Sequence, residues 1–455
     1  MEQSPELMQT ESDIQKQESG VITIVLTADN HLGYAASSQH PRKREQRKQQ
    51  LRHAFQQATD FAIGQGVDLF VQAGDLFDST NPDEQDRSFV AERLAQLRQA
   101  GIRTFAVGGI HDTAVDAHTS IDTGEADFAS SVPAPQLSYA RLGALHYFAP
   151  TIGVSKTQNA DQAQDIQPLE PVVFDIRGTL IGICGLSVLA SQEVDPLEYL
   201  RVQSDIERAA VSLLVLHAPI EDFASGTSLL DIHAQVSRAS IANQSAFRYI
   251  LAGYHHAYRH QSIGQCDLII AGSTQHIDFS DPDDDPGFVF IGLAADGIRW
   301  CKHITVDALR LRHLVVHTTE LWPQETNNMP ADATASILQF LRPLCADDVM
   351  VQLRLEGELT RSQYHQLDLN QVRHYGEEHC FALEIDDSAL TFLSEQEFIS
   401  PADGQGSTRR RDERLSPREE LIALADEWIA AATDEKEQKA LQATKEELVA
   451  ALRYM

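Results

Sequence analysis

The sequence predicts an α/β protein with a second sheet facing the first, and three observations carry that expectation. Short runs of apolar and β-branched residues recur between residues 21 and 308, with the composition of buried strands. In the first part of the chain they alternate with helical patterns, as in an open α/β sheet. Several of them end in Asp or His, and ligands in such sheets bind at the carboxyl ends of the strands.

In chain order, ITIVLTA (22–28) reads as a strand ending at Asp29 and His31, and residues 43–65 follow a helical pattern. VDLFVQAG is a second strand, ending at Asp75. A helix near 86–100 leads into IRTFAVGG, a third strand followed by Ile110, His111 and Asp112. Residues 113–170 are less regular, and VSKTQNADQAQDIQPLEP has the composition of an exposed loop. PVVFDIRGTLIGICGLS reads as a hairpin turning at Arg177-Gly178, and VSLLVLHAP as a buried strand ending at His217. FRYILAGYHHAYRH and CDLIIAGSTQHIDFSD repeat the pattern of apolar strand, glycine and polar residues. GFVFIGLAADGIRWCKHI closes the series as a hairpin turning at Asp296-Gly297. These later strands predict the second sheet.

From about residue 310 the character changes. LRHLVVHT, a helical stretch over 332–344, VMVQLRLEG, a helix over 360–373 and CFALEID predict a small α+β domain. The expected organisation is a disordered leader over 1–20, a main domain over 21–308, a small domain over 309–398, a linker over 399–416 and a helical segment over 417–455. In that last segment Leu421, Ile422, Leu424, Ala425, Trp428 and Ile429 fall on one apolar face.

The 455 residues suffice for two or three domains. No apolar run is of bilayer length, and the acidic N-terminus lacks the basic start and apolar middle of a signal peptide, so a cytoplasmic location with no membrane partner is expected. The five cysteines carry no CxxC spacing, which argues against a disulfide framework and a cysteine zinc site, and predicts ordinary buried thiols. A net charge of −31 counts against a phosphate-binding surface over the whole molecule, and a salt-tolerant host is a competing source of that acidity. One basic stretch stands out in PRKREQRKQQLR, where Arg42, Lys43, Arg44, Arg47 and Lys48 are candidates for DNA contact; a solvated helix face is the alternative.

The polar residues at the strand ends form an ordered set: Asp29-x-His31, Asp75, His111-Asp112, His217 and His255-His256. Any single histidine has an ordinary structural reading, but the whole set is hard to explain by packing. Asp and His suit manganese, iron or zinc. Two such ions about 3.5–4 Å apart share a carboxylate, clamp a phosphate and acidify a water, while a nearby histidine protonates the leaving oxygen.

In this order DNHLGY, GDLFDSTNP, GIHD, LHAP and GYHH resemble the motifs of the calcineurin-like metallophosphoesterases, and more closely the SbcD branch, the nuclease subunit of SbcCD-type double-strand-break repair complexes. The resemblance covers roughly residues 21–305 and continues more loosely to about 395. It implies a four-layer α/β/β/α metallophosphoesterase sandwich with a capping domain and C-terminal helices. The implied activity is manganese-dependent cleavage of DNA, with iron or zinc as alternative ions. The implied partners are DNA ends, an SbcC-type ATPase docked on the C-terminal helices, and a second copy of the chain in a homodimer.

Carried over by position, Asp29, His31, Asp75 and His256 hold the first ion, with Asp75 bridging. Asp75 and His217 serve the second, His111 is the general acid and Asp112 supports it. Two positions depart from the pattern. Ile110 stands where the family has a ligating Asn, and Tyr254 where it has a ligating His. His255 is the possible substitute ligand, although neighbouring residues on an extended backbone point to opposite faces; Tyr254 could itself ligate as a phenolate. Three readings follow: a working nuclease with one or two ions, a catalytically impaired DNA-end-binding or regulatory subunit, and a phosphodiesterase for smaller substrates.

Overall fold

The computed structural model describes residues 20–35, 41–113, 133–149, 169–187, 195–198, 200–223, 235–322 and 332–393, with a few residues of the C-terminal segment. The expected leader, the linker, nearly all of the helical tail and most of the 154–171 loop lie outside the described residues. The chain divides into two units, residues 1–308 and 309–455.

Two six-stranded sheets form the first unit. One contains β1 (Ile22–Thr27), β2 (Leu69–Ala73), β3 (Arg103–Val107) and β4 (His146–Phe148) in parallel, then β11 (Gly287–Ala294) and β12 (Gly297–Thr305) as an antiparallel hairpin beside β1. The other runs β5 (Val172–Ile176), β6 (Thr179–Ser187), β7 (Val211–His217), β8 (Tyr249–Gly253), β10 (Cys266–Ile270) and β9 (Arg259–Ile263). Both predicted hairpins are present, and Arg177 and Gly178 both take positive φ at the first turn.

Strand periodicity explains the layering. Ile22, Ile24 and Leu26 of β1 point between the sheets and meet Val211, Leu213 and Val215 of β7. The intervening Val25 points outward and packs under helices α1 (Pro41–Gln65) and α2 (Glu84–Gln99), against Leu51, Phe55 and Val90. On the far side Leu214, Leu216 and Ile250 pack against Ile206 and Ile241, the latter from α4 (Arg238–Asn243), which follows α3 (Gln136–Arg141) in chain order. The result is the predicted four-layer α/β/β/α sandwich. No helix among the described residues is long and apolar enough to cross a membrane.

The second unit holds a three-stranded parallel sheet, β13 (Arg310–His317), β14 (Val349–Leu359) and β15 (Ala382–Phe392). Helices α5 (Thr318–Leu321) and α6 (Ala333–Leu341) make one crossover, α7 (Arg361–Gln366) and α8 (Leu369–His379) the other. The single helix expected over 360–373 is therefore two. Asp368 breaks it by capping α8 with a side-chain acceptor for the Gln371 N–H, as Thr360 caps α7. The expectation of unpaired thiols also needs correction, since Cys345 and Cys380 are disulfide-bonded while Cys184, Cys266 and Cys301 are free. Scattered spacing gave no sign of this, because the fold brings together two residues that are far apart in sequence.

Candidate metal centre

The carboxyl ends of β1, β2, β7 and β8 converge. Asp29 and His31 follow β1, Asp75 follows β2, His217 closes β7 and His256 follows β8. Backbone bonds lock the first two loops together: Asp29 N–H donates to Gly74 O and His31 N–H to Asp75 O, each at 3.0 Å. Asp29, His31 and Asp75 adopt φ of 47°, 44° and 52°, and Tyr254 a φ of 83°. Such conformations are uncommon without glycine and cluster where function over-determines the backbone.

Among the described residues, three sets of side chains have donor atoms within 4.8 Å of one another: Asp29, His31 and His256; Asp29, Asp75 and His217; and His31, Asp78 and His111. Nε2 of His31 is buried with no hydrogen-bond partner among the described residues, an arrangement that is costly unless the nitrogen has another ligand. His217 Nε2 lies 3.2 Å from Asp75 Oδ2, and its Nδ1 is 2.8 Å from Ala73 O. These residues fit a divalent cation: two carboxylates and three imidazoles, several with their second atoms already fixed by the protein.

Electrostatics bind the cluster together. Burial opposes ionisation of Asp75, but His217, His31 and His111 outweigh it and hold the carboxyl well below its usual range. Burial likewise opposes the charge on His217, yet Asp75 and Asp29 push it up to about 10. Asp29 is shifted upward, chiefly by burial, against the pull of the histidines. His256 is 2.6 Å from Asp281 through Nδ1 and is raised to about 9, the carboxylates outweighing its burial.

The remaining expected residues divide. His111 is the accessible member, its side chain 43% exposed and its ring edge-on to His31 at 4.8 Å between centroids. Asp112 does not hold that ring. Its carboxylate accepts from the N–H groups of Phe77 (3.1 Å) and Gly109 (2.9 Å) and from the Gln136 amide, so it fixes the loops around Asp75. Burial, with Asp75 nearby, raises it to about 6. The group beside His111 is Asp78, whose Oδ1 is 3.8 Å from His111 Nδ1 and 3.1 Å from His31 Nδ1.

His255 is not gathered into the site, so the substitute-ligand expectation is corrected. Its Nε2 accepts the Ile220 N–H at 2.8 Å, and burial, with the neighbouring cations, lowers it to about 4, which keeps it a neutral acceptor. Tyr254 contributes its backbone, donating its N–H to the Asp29 carboxylate at 3.0 Å. Gly109 is required beside Ile110, because a Cβ there would collide with the Asp75 side chain and backbone.

The basic stretch lies at the start of α1. Arg42 and Arg44 are exposed, Lys43 and Lys48 partly so, and Lys48 pairs with Asp83 at 2.8 Å. Arg47 does not belong to this surface. It is 1% exposed and donates to Gln275 Oε1 at 3.3 Å and to the His276 carbonyl, so it is unavailable to DNA. The GSTQHIDFSD segment uses its amides internally: Ile277 and Asp278 donate to Asp281, and Ser273 to His256 O.

Sequence reasoning missed the roles of Asp78, Asp281 and Gln136. The first two stood inside quoted motifs, GDLFD and HIDFSD; nothing in the sequence marked Gln136. Asp281→Asn is expected to weaken divalent-cation binding, with Mn²⁺ as the probe, by about 10–100-fold, the usual cost of removing a partner that orients a ligating histidine. Calorimetric titration would measure it, and unchanged affinity would show that His256 needs no such support.

Residues 22–256 match the family model of the calcineurin-like phosphoesterases. The chain belongs to that family. Among its relatives is the DNA double-strand break repair protein Mre11 of Halobacterium salinarum, 25% identical over 335 residues, covering 74% of this chain and 70% of that protein. The protein of the same name from Methanosarcina mazei is 38% identical over 92 residues, 20% of this chain and 14% of that one. A dimetal phosphatase from Danio rerio aligns in structure over 63% of this chain and 99% of its own, at 14% identity and a TM-score of 0.35.

Proposed function

We propose that this chain is a metal-dependent nuclease that hydrolyses phosphodiester bonds at DNA ends, as the SbcD-like subunit of a double-strand-break repair complex. The observation that supports this best is the convergence of Asp29, His31, Asp75, His217 and His256, with the buried Nε2 of His31 lacking a hydrogen-bond partner among the described residues. The likeness to proteins named for double-strand-break repair supports the substrate class.

Asp29, His31 and His256, completed by Asp75, would hold one ion; manganese suits this donor set, as do iron and zinc. Bound there, the cation supplies electrophilic activation of the phosphodiester and of the attacking water. The protein's own residues do the rest. The locked loops fix the carboxylates, Asp281 orients His256, and Asp112 anchors the backbone on either side of Asp75. His111, reachable from solvent beside His31, delivers a proton to the leaving oxygen, with the Asp78 carboxylate 3.8 Å from its Nδ1. Arg42, Lys43, Arg44 and Lys48 meet the phosphate backbone. The partners in this reading are an SbcC-type ATPase on residues 417–455 and a second copy of the chain, in the cytoplasm.

One set of observations favours a second reading, a DNA-end-binding or regulatory subunit with impaired catalysis. Ile110 has no donor atom, and His255 is committed to Ile220, so a second ion has fewer protein ligands. His111→Ala separates the two. In a nuclease it lowers single-turnover cleavage of linear DNA by about 10²–10⁴-fold while leaving metal content unchanged. Equal cleavage by variant and wild type would remove His111 from the chemistry.

A further inference from the structure

Arg47 is a buried cation that neither DNA contact nor the reaction uses. Removing a guanidinium from water costs several kcal/mol, and replacing a buried charge by an apolar side chain of similar volume is often neutral or stabilising. Its direct hydrogen-bond partners are uncharged, Gln275 Oε1 at 3.3 Å and the His276 carbonyl, with the Tyr34 ring centroid 5.9 Å away. What the placement does achieve is mechanical. The planar fork of arginine holds two acceptors on consecutive residues in a fixed geometry, which the single rotatable ammonium of lysine does not supply.

Those residues open the loop that supports His256. Immediately after His276, the Ile277 N–H donates to Asp281 Oδ2 at 2.5 Å, and Asp278 N–H adds a second bond at 3.2 Å. The other oxygen of Asp281 lies 2.6 Å from His256 Nδ1. Just ahead of Gln275 the chain is tied to the Asp29–His31 turn, because Asn30 donates to Thr274 Oγ1 at 3.2 Å. A continuous path therefore runs from α1 through Arg47, His276 O, Ile277 N and Asp281 to the metal-facing histidine.

We propose that Arg47 is a positioning residue for the metal centre, acting on His256 through the 275–281 loop and Asp281. This rests on the metal-site reading above. Its elevated energetic cost is consistent with the role: burial lowers the guanidinium to about 10, against the pull of Tyr34 and Asp281.

The test uses the full chain, Mn²⁺ titration calorimetry and thermal unfolding. Arg47→Lys should weaken Mn²⁺ binding about tenfold or more, and Arg47→Gln in the same direction. Arg93→Lys is the control for a merely structural effect. Arg93 is also buried, packs on the same helix, and bonds Thr59 Oγ1 at 2.8 Å and Asp60, remote from the 275–281 loop. That variant should lower Tm and leave Mn²⁺ affinity at the wild-type value. In an Asp281→Asn background, Arg47→Lys should add little further weakening, because both act on one route. Unchanged affinity in both Arg47 variants overturns the proposal, as does equal weakening with and without Asp281. Absence of Mn²⁺ binding by the wild type would overturn the metal-site reading itself, a result distinct from either.

Discussion

Asp75→Ala is expected to abolish metal retention and lower DNA cleavage by well over about 100-fold, since loss of an orienting partner alone costs about 10–100-fold in affinity. Asp75 links three histidines of the site. Its carboxylate faces His217 Nε2 at 3.2 Å and His31 Nε2 at 3.9 Å, and accepts the His111 N–H at 2.9 Å. Removing it takes away a proposed ligand and the charge partner that raises His217, leaving that buried imidazole without its 3.2 Å contact at Nε2. It also frees the loop that carries His111. Metal content by mass spectrometry and cleavage of linear DNA would both be read on the same sample. Retention of the ion with normal turnover would show that the carboxylate is structural.

The second large effect concerns ion number. Ile110→Asn combined with Tyr254→His should raise the Mn²⁺ stoichiometry from one to two per chain and increase turnover by about tenfold or more, because a second ion adds charge stabilisation of several kcal/mol to in-line displacement. Asp75 and His217 already stand at this position, and the two substitutions restore donor atoms of the types the family resemblance implies. His255 would not compete for the role, given its bond to Ile220. The strained φ of Tyr254 bears on the result, since the incoming histidine must adopt the same backbone to aim inward. Calorimetric stoichiometry with no gain for the double variant would mean that the pocket has closed around the wild-type side chains.

Much of the fold was legible because its signals are local. The strand runs, the two turn dipeptides and the polar residues at strand ends follow from periodicity and turn chemistry, and the ordered Asp and His motifs pointed to one edge of the sheets. What escaped depends on tertiary packing. Arg47 looks like its exposed neighbours in sequence, yet α1 turns it inward to the 275–276 backbone. Asp112 was assigned to His111 by adjacency, whereas its carboxylate serves Phe77, Gly109 and Gln136. Asp281 reaches His256 across 25 residues of sequence. The break between α7 and α8 was readable in principle, because Asp368 is a capping residue inside a helical pattern.

The most direct measurement is cleavage of linear double-stranded DNA by the wild-type chain in Mn²⁺, with bound ions counted per chain and with an SbcC-type ATPase, the proposed partner, added in parallel. The account predicts cutting that depends on Mn²⁺ and is supported by a single tightly held ion. A wild-type chain that binds DNA ends but remains inert in Mn²⁺, with or without the ATPase, would contradict it and leave a binding subunit built on a phosphoesterase fold.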